Sequence, residues 1–216
     1  LQFMESGWDI KQLMRAIVMS ESYQQSSKMN SESRINDPEN RLLARGSRFR
    51  MDSEMVRDQV LMASGLLNPD LLGKSVNPPQ PAKLWQIVAM PSSYPRIFKA
   101  DGGKKAFRRS VYTFWKRGLP PPQMTIFDAP TREACIARRE RTNTPLQALM
   151  LMNEPQFFSA AAHCAQGILE NTDWKDAQRI EKAYETITSQ LPTDTEARAL
   201  KQALASFREH YNKNVD

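Results

Sequence analysis

The sequence predicts a mainly α, irregular helical domain with long Pro-rich loops and at most one small β element. Three observations predict it. Apolar residues recur at helical spacing, giving expected helices near 9–24, 52–66, 145–152, 154–170, 174–190 and 194–212. Several of these open on Asp, Asn or Thr with Glu or Gln three positions later, the pattern of a capped helix start. The connections are broken by proline, which removes a donor and restricts the residue before it.

Asp9 begins the first helix, with Gln12 three residues on. Ile10, Leu13, Met14, Ile17 and Val18 form one apolar stripe. From Lys28 to Asn36 the chain is polar and Ser-rich and reads as a mobile loop. Asp37-Pro38 opens a short helical turn through Leu43. Asp52 can cap the next helix, whose apolar face is Met55, Val56, Val60, Ala63 and Leu67. Leu66 to Pro81 holds Pro69, Pro78, Pro79 and Pro81 and reads as an irregular arm. Leu84–Ala89 is a short apolar piece resembling a strand, and Tyr94–Gly103 a loop. Arg109–Trp115 alternates β-prone residues and is the best strand candidate, ended by Gly118 to Pro122.

Thr144-Pro145-Leu146-Gln147 is the clearest helix start, combining a capping box with proline at the first helical position. Its apolar run (Leu146, Leu149, Met150, Leu151, Met152) reads as a buried helix that Pro155 re-aims. Asn153 is the expected cap of the next helix, carrying Phe157, Ala160, Ala161, Cys164 and Ile168 on one face. After Asp173, Ala177, Ile180, Tyr184, Ile187 and Leu191 point inward, and Pro192 stops that helix. Thr193 and Glu196 box the last one, with Leu200, Leu204, Phe207 and Tyr211. These two helices read as an antiparallel hairpin. The expected division is a helical domain over 1–170 and the hairpin over 171–216.

The chain has 216 residues, enough for a real core, and no apolar run approaches the roughly 20 residues of a membrane span. It opens on Leu1 already in a helical pattern, so it is expected to be a piece of a longer protein. The formal charge is +6. Between Arg96 and Arg141 twelve Lys or Arg stand against four Asp or Glu, a net of +8, which leaves −2 for the remainder. A localised basic segment suits an anionic partner.

The candidate anion-binding residues are Arg108, Arg109, Arg132, Arg138, Arg139 and Arg141, with Lys116 and Arg117 nearby. Guanidinium groups form bidentate pairs with carboxylate, sulfate or phosphate. Two readings stand open. Either Arg132, Arg138, Arg139 and Arg141 tie their turn to Asp128, Glu133 and the helix of Asp52–Asp58, or the set binds a sulfated or acidic glycan. Tyr112, Phe114 and Trp115 interleave with cations as a base-stacking platform would, but equally suit one packed strand. Asp128, Asn143, Thr144 and Gln147 form the expected structural motif at the turn.

Reactive constellations are sparse. The chain contains no HExxH, CxxC, GxSxG, P-loop or dinucleotide fingerprint. His163 and Cys164 are adjacent on a helix, about 100° apart, and make a poor chelate. No metal site and no cofactor are expected in this chain. Cys135 and Cys164 read as two separate thiols, with a disulfide the lesser alternative.

Three blocks carry a resemblance: GWDIKQLMRAIVMSESYQQSS (Gly7–Ser27), DPENRLLARGSRFRMDSEMVRDQVLMASGLL (Asp37–Leu67) and FDAPTREACIARRERTNTPLQALMLMNEP (Phe127–Pro155). They resemble the DUF1553 family, the C-terminal part of planctomycete-type PSD1 proteins. The resemblance implies a cell-envelope, periplasmic or secreted setting. It also implies partner domains upstream in the same polypeptide, DUF1549-like and sometimes cytochrome-c-like. Any covalent haem would belong to those, since CxxCH is absent here. The family carries no assigned catalytic residues. The expected function is thus a non-catalytic structural or interaction domain that binds an anionic glycan. The alternative is a hydrolase-type domain sharing its site with an upstream domain; nucleic-acid binding is disfavoured by the envelope setting.

Overall fold

The computed structural model describes residues 1–81, 83–88, 90, 92 and 95–214, with the side chain of Val88 left out. The described chain is mainly α, with no sheet, and forms two compact units, Leu1–Arg50 and Met51–Asp216. That division falls at residue 50, whereas the sequence-based division falls at residue 170.

The first unit holds α1 (Gln2–Glu5), α2 (Ile10–Val18), α3 (Glu21–Gln24) and α4 (Ser31–Asn36). Asp9 caps α2 by accepting from the Gln12 amide at 3.0 Å. The expected helix over 9–24 breaks after Val18, because the Ser20 hydroxyl takes over as cap for the Tyr23 amide. The stretch 28–36, expected as a loop, contains α4. Asn30 supplies the reason: its side chain accepts from the Ser33 amide at 2.7 Å and closes the first turn. Asp37 is buried and accepts from the amides of Arg41 and Leu42, so the following turn is wound around one carboxylate. Gly46 passes against the Gln25 carbonyl, where a Cβ would lie 2.5 Å from the oxygen. The apolar stripe of α2 is exposed.

The second unit holds α5 (Ser53–Ala63), α6 (Leu84–Val88), α7 (Pro122–Ile126), α8 (Pro145–Asn153), α9 (Pro155–Leu169), α10 (Asp176–Thr188) and α11 (Asp194–Lys213). Helix α5 packs on α7, α9 and α10, and α9 also meets α8 and α10. The core is Leu61, Val76, Trp85, Ala106, Met124, Ala129, Phe157 and Ala160. Helix α5 does not bury its expected apolar face: Met55 is exposed, and Ser53, Arg57 and Leu61 point inward instead. Arg57 explains this, since its guanidinium is required inside the fold.

Leu84–Val88 is helical, not a strand; Ala89, and Tyr94 in the loop beyond, lie outside the described residues. Arg109–Trp115 is not a strand either. It contains a 3-10 turn over Ser110–Tyr112 and meets the Pro-rich arm at one bridge, Val76 to Thr113. The arm supplies only the backbone bonds of that bridge, Val76 N–H to the Tyr112 carbonyl and Phe114 N–H to the Val76 carbonyl, both at 2.8 Å, while Ser110 N–H donates to Asp58 Oδ1 at 2.7 Å.

The capping box of α8 forms, with Thr144 accepting from the Gln147 amide and Gln147 accepting from the Thr144 amide. The helix itself is not buried as expected. Gln147 points inward while Leu146, Leu149 and Met152 are about half exposed or more. Glu154, not Asn153, caps α9 by accepting from the Phe157 amide at 3.0 Å. Phe157 and Ala160 pack inward as expected. The α10–α11 hairpin forms, closed by Thr193 and Glu196. Ile187 and Leu191, expected inward, are exposed, as are Phe207 and Tyr211.

Candidate functional site

The basic segment is built around a buried cation that composition does not reveal. Arg57 is 2 % exposed. Its Nε donates to Gln156 Oε1 at 2.8 Å, Nη1 to the Arg108 carbonyl at 2.9 Å, and Nη2 to the Ala106 carbonyl at 2.7 Å. Ser110 Oγ accepts a further bond at 3.2 Å. Burial pulls the guanidinium down to about 10, against Asp58 and Glu154, which raise it. It therefore stays charged near neutral pH and fixes the backbone of 106–110 through hydrogen bonds.

Arg108 is also buried, at 7 % exposure. Its guanidinium donates to the carbonyls of Asp70, Leu72 and Lys74 and lies 3.7 Å from the Tyr112 ring centroid. Leu72 and Gly73 take positive φ, which turns successive carbonyls of the Pro-rich arm toward this one cation. Tyr112 completes the clasp, its hydroxyl accepting from the Leu72 amide at 2.7 Å.

The remaining arginines separate into two groups. Along α5, Arg139 grips both oxygens of Glu54 at 2.6 and 3.1 Å and stands 3.7 Å from Asp52. Arg141 lies 4.0 Å from Asp52, and Arg109 lies 3.9 Å from Asp58. Asp52 occupies the N-cap position of α5 but caps nothing with its side chain; it faces these arginines. Burial would raise the Glu54 carboxyl, but hydrogen bonds from Arg139, its own amide and Ser53 outweigh this and hold it below the ordinary value. The Glu54 contact raises Arg139.

Arg132 and Arg138 form the second group. Both are exposed, and neither has a carboxylate within 4 Å among the described residues. Arg132 holds a positive φ of 66° and stacks 4.5 Å from the Trp115 ring centroid. Trp115 is itself fixed by donating to the Thr131 carbonyl at 3.2 Å. The three aromatics of 112–115 thus do not form one shared surface. Tyr112 lies under Arg108, Phe114 packs on Trp85, and Trp115 lies under Arg132.

The turn between these groups is held by Asp128, also at positive φ. Its carboxylate accepts from the Thr142 amide at 2.7 Å and hydroxyl at 2.8 Å. Gln147 Nε2 donates to Thr142 Oγ1 and to the Ile126 carbonyl, both at 3.0 Å. Thr144 caps α8, and Asn143 is exposed. Glu133, offered above as an arginine partner, is exposed and pairs with none of them within 4 Å.

Several groups here escaped the sequence reading. Arg57 lies off the apolar face that spacing marks on α5, yet it is buried. The buried pair of Gln123 and Glu154 was not seen; Gln123 Nε2 donates to Glu154 Oε1 and to the Pro79 carbonyl. The one trace of the first is the register Ser53, Arg57, Leu61, which puts the arginine in line with a core leucine.

His163 binds the Ser64 carbonyl through Nδ1 at 2.8 Å, and His210 sits against Tyr211. Among the described residues no three His, Cys, Asp or Glu side chains gather closely enough to hold a metal ion, and no helix is long and apolar enough to cross a membrane. Cys135 and Cys164 are free, and burial pushes the Cys164 thiol up.

No curated protein and no solved structure is similar enough to match the chain. A family model does match, over residues 1–204, described as PSD1, protein of unknown function (DUF1553). On that match the chain belongs to the PSD1 (DUF1553) family.

Proposed function

We propose that this chain is a non-catalytic interaction domain that works within a larger cell-envelope protein and binds a sulfated or acidic glycan. The carrying observation is the exposed guanidinium of Arg132 on Trp115, with no carboxylate partner within 4 Å among the described residues. An arginine held on an aromatic face keeps its donors outward and loses little freedom on binding an anion. Arg138 adds a second exposed cation on the same turn. Arg108 is committed to carbonyls and Arg139 to Glu54, so the proposed binding set centres on Arg132 and Arg138.

Retention on immobilised heparin tests this reading. It should fall steeply as salt rises and fall further in Arg132→Ala with Arg138→Ala, while a neutral dextran matrix retains neither protein. Equal retention of wild type and double variant sinks the glycan assignment. The envelope setting is tested separately, by fractionating source cells and probing for the protein outside the cytoplasm.

A further inference from the structure

The Pro-rich arm is tied to the 99–108 segment at two places, with an exposed loop, Asp70 to Lys74, between them. At one tie the Asn68 amide donates to the Phe107 carbonyl at 2.9 Å and Asn68 Nδ2 to the Lys104 carbonyl at 3.2 Å. At the other the Asn77 amide donates to Asp101 Oδ2 at 2.7 Å and Asn77 Nδ2 to the Lys99 carbonyl at 3.2 Å. At the tip of the loop Leu71 and Leu72 are 69 and 81 % exposed, and Leu72 holds a positive φ of 65°. A bulky side chain seldom takes that conformation, and here no burial offsets its cost.

The loop turns its backbone inward. The carbonyls of Asp70 and Lys74 each accept from the Arg108 guanidinium at 3.0 Å, and the Leu72 carbonyl accepts from the same group. The Leu72 amide donates to the Tyr112 hydroxyl and the Asp70 amide to Asn68 Oδ1. Open backbone groups are costly in a medium without water, and these are satisfied before any partner arrives. Around the loop Lys74, Lys99, Lys104 and Lys105 are exposed, and none has a carboxylate within 4 Å among the described residues. Over 68–77 and 99–105 these four lysines stand against two aspartates, Asp70 and Asp101, a net of +2.

We infer that this loop is a docking tip for an anionic phospholipid surface, with Leu71 and Leu72 entering the acyl boundary and the lysines meeting the phosphates. The pairing of the two features selects the occupant. A glycan offers no apolar depth to two aliphatic side chains. An acidic protein segment adding to an extended arm would use the arm's backbone, and here that backbone is clamped on Arg108. An anionic bilayer presents phosphates directly above hydrocarbon, within the roughly 5–10 Å depth of an interfacial contact. The contact is peripheral and uses none of the residues assigned to the glycan.

Co-sedimentation of the whole chain with phosphatidylcholine vesicles, with and without phosphatidylglycerol, tests this. Wild type should bind the mixed vesicles only, and less as salt rises. Leu71→Ser with Leu72→Asn, the asparagine being suited to positive φ, should weaken binding by roughly tenfold or more at unchanged circular dichroism. Lys104→Gln with Lys105→Gln should weaken it by roughly tenfold and flatten its salt dependence. Arg132→Ala with Arg138→Ala should bind vesicles as wild type does, so failure here is separable from failure of the glycan reading. If the leucine pair unfolds the chain, the lysine pair still reads the surface. No binding to mixed vesicles, or binding indifferent to both pairs, overturns the inference. Binding that the lysine pair weakens and a folded leucine pair leaves intact also overturns it, because charge alone would then suffice.

Discussion

Arg57 and Gln156 meet inside the second unit across 99 positions of sequence, Nε donating to Oε1 at 2.8 Å. This bond joins α5 to α9, and the same guanidinium holds the carbonyls of Ala106 and Arg108. One buried cation thus sets where the 106–110 segment lies. Arg57→Met should destabilise the protein by about 3 kcal/mol or more, because several buried acceptors lose their donor together. Arg57→Lys should recover little, since an ammonium cannot reach the same fork of carbonyls. Urea unfolding checks both.

Asp128 should behave as the pin of the arginine turn. Asp128→Ala removes both bonds to Thr142 and leaves a β-carbon at positive φ without the polar side chain that tolerates it. The expected loss is about 2 kcal/mol, with faster trypsin cleavage at Arg138 under native conditions. Unchanged cleavage would show that the turn is held by something else.

The Glu54–Arg139 pair gives a pH dependence whose sign follows from the depressed Glu54 carboxyl. A carboxyl lowered by folding contributes stability that is complete above its ordinary value of 4.5 and is lost as pH falls through the lower folded value. Both side chains are partly exposed, so the contribution should be below about 1 kcal/mol. Glu54→Gln should flatten the acid limb of the stability profile and leave stability above pH 7 only slightly reduced, as measured by urea titrations across pH.

In the C-terminal hairpin, Arg208 grips Asp176 of α10 through both carboxylate oxygens. The Arg208 hydrogen bond holds the Asp176 carboxyl below its ordinary value of 3.8. Arg208→Ala should move the Asp176 titration upward in carbon-detected NMR. The hairpin should stay folded, because its turn is capped independently by Thr193 and Glu196.

The longer helices were legible because capping chemistry is local, whereas α4 and α6 fall on stretches that read as a loop and a strand. Thr144 with Gln147, Thr193 with Glu196, and Asp9 with Gln12 all form the bonds their spacing implies. The facing of helices was less legible. Met55 and Leu149 sit on apolar stripes, yet Arg57 and Gln147 are the residues turned inward, because long-range acceptors at 106–110 and 126–142 draw them there. No periodicity encodes a partner 50 or 99 positions away. The strand expected over 109–115 failed for the same reason: Asp58 satisfies the Ser110 amide that a neighbouring strand would otherwise have to satisfy.

The arginines show the limit most clearly. As sequence they form one basic segment. In the fold, Arg108 is a carbonyl clamp, Arg139 an ion-pair partner, and Arg132 and Arg138 are exposed. Residue type predicted anion chemistry for all of them, whereas burial and proximity to α5 decide which remain open to an outside ligand.

The sharpest measurement is therefore a crossed comparison of Arg132→Ala with Arg138→Ala against Arg139→Ala, each read by heparin affinity at physiological salt and by urea unfolding. The double variant should lose most affinity at wild-type stability, and Arg139→Ala should lose stability while keeping most affinity. If Arg139→Ala instead abolishes binding, and the double variant binds like wild type, the division between internal and outward-facing arginines is wrong.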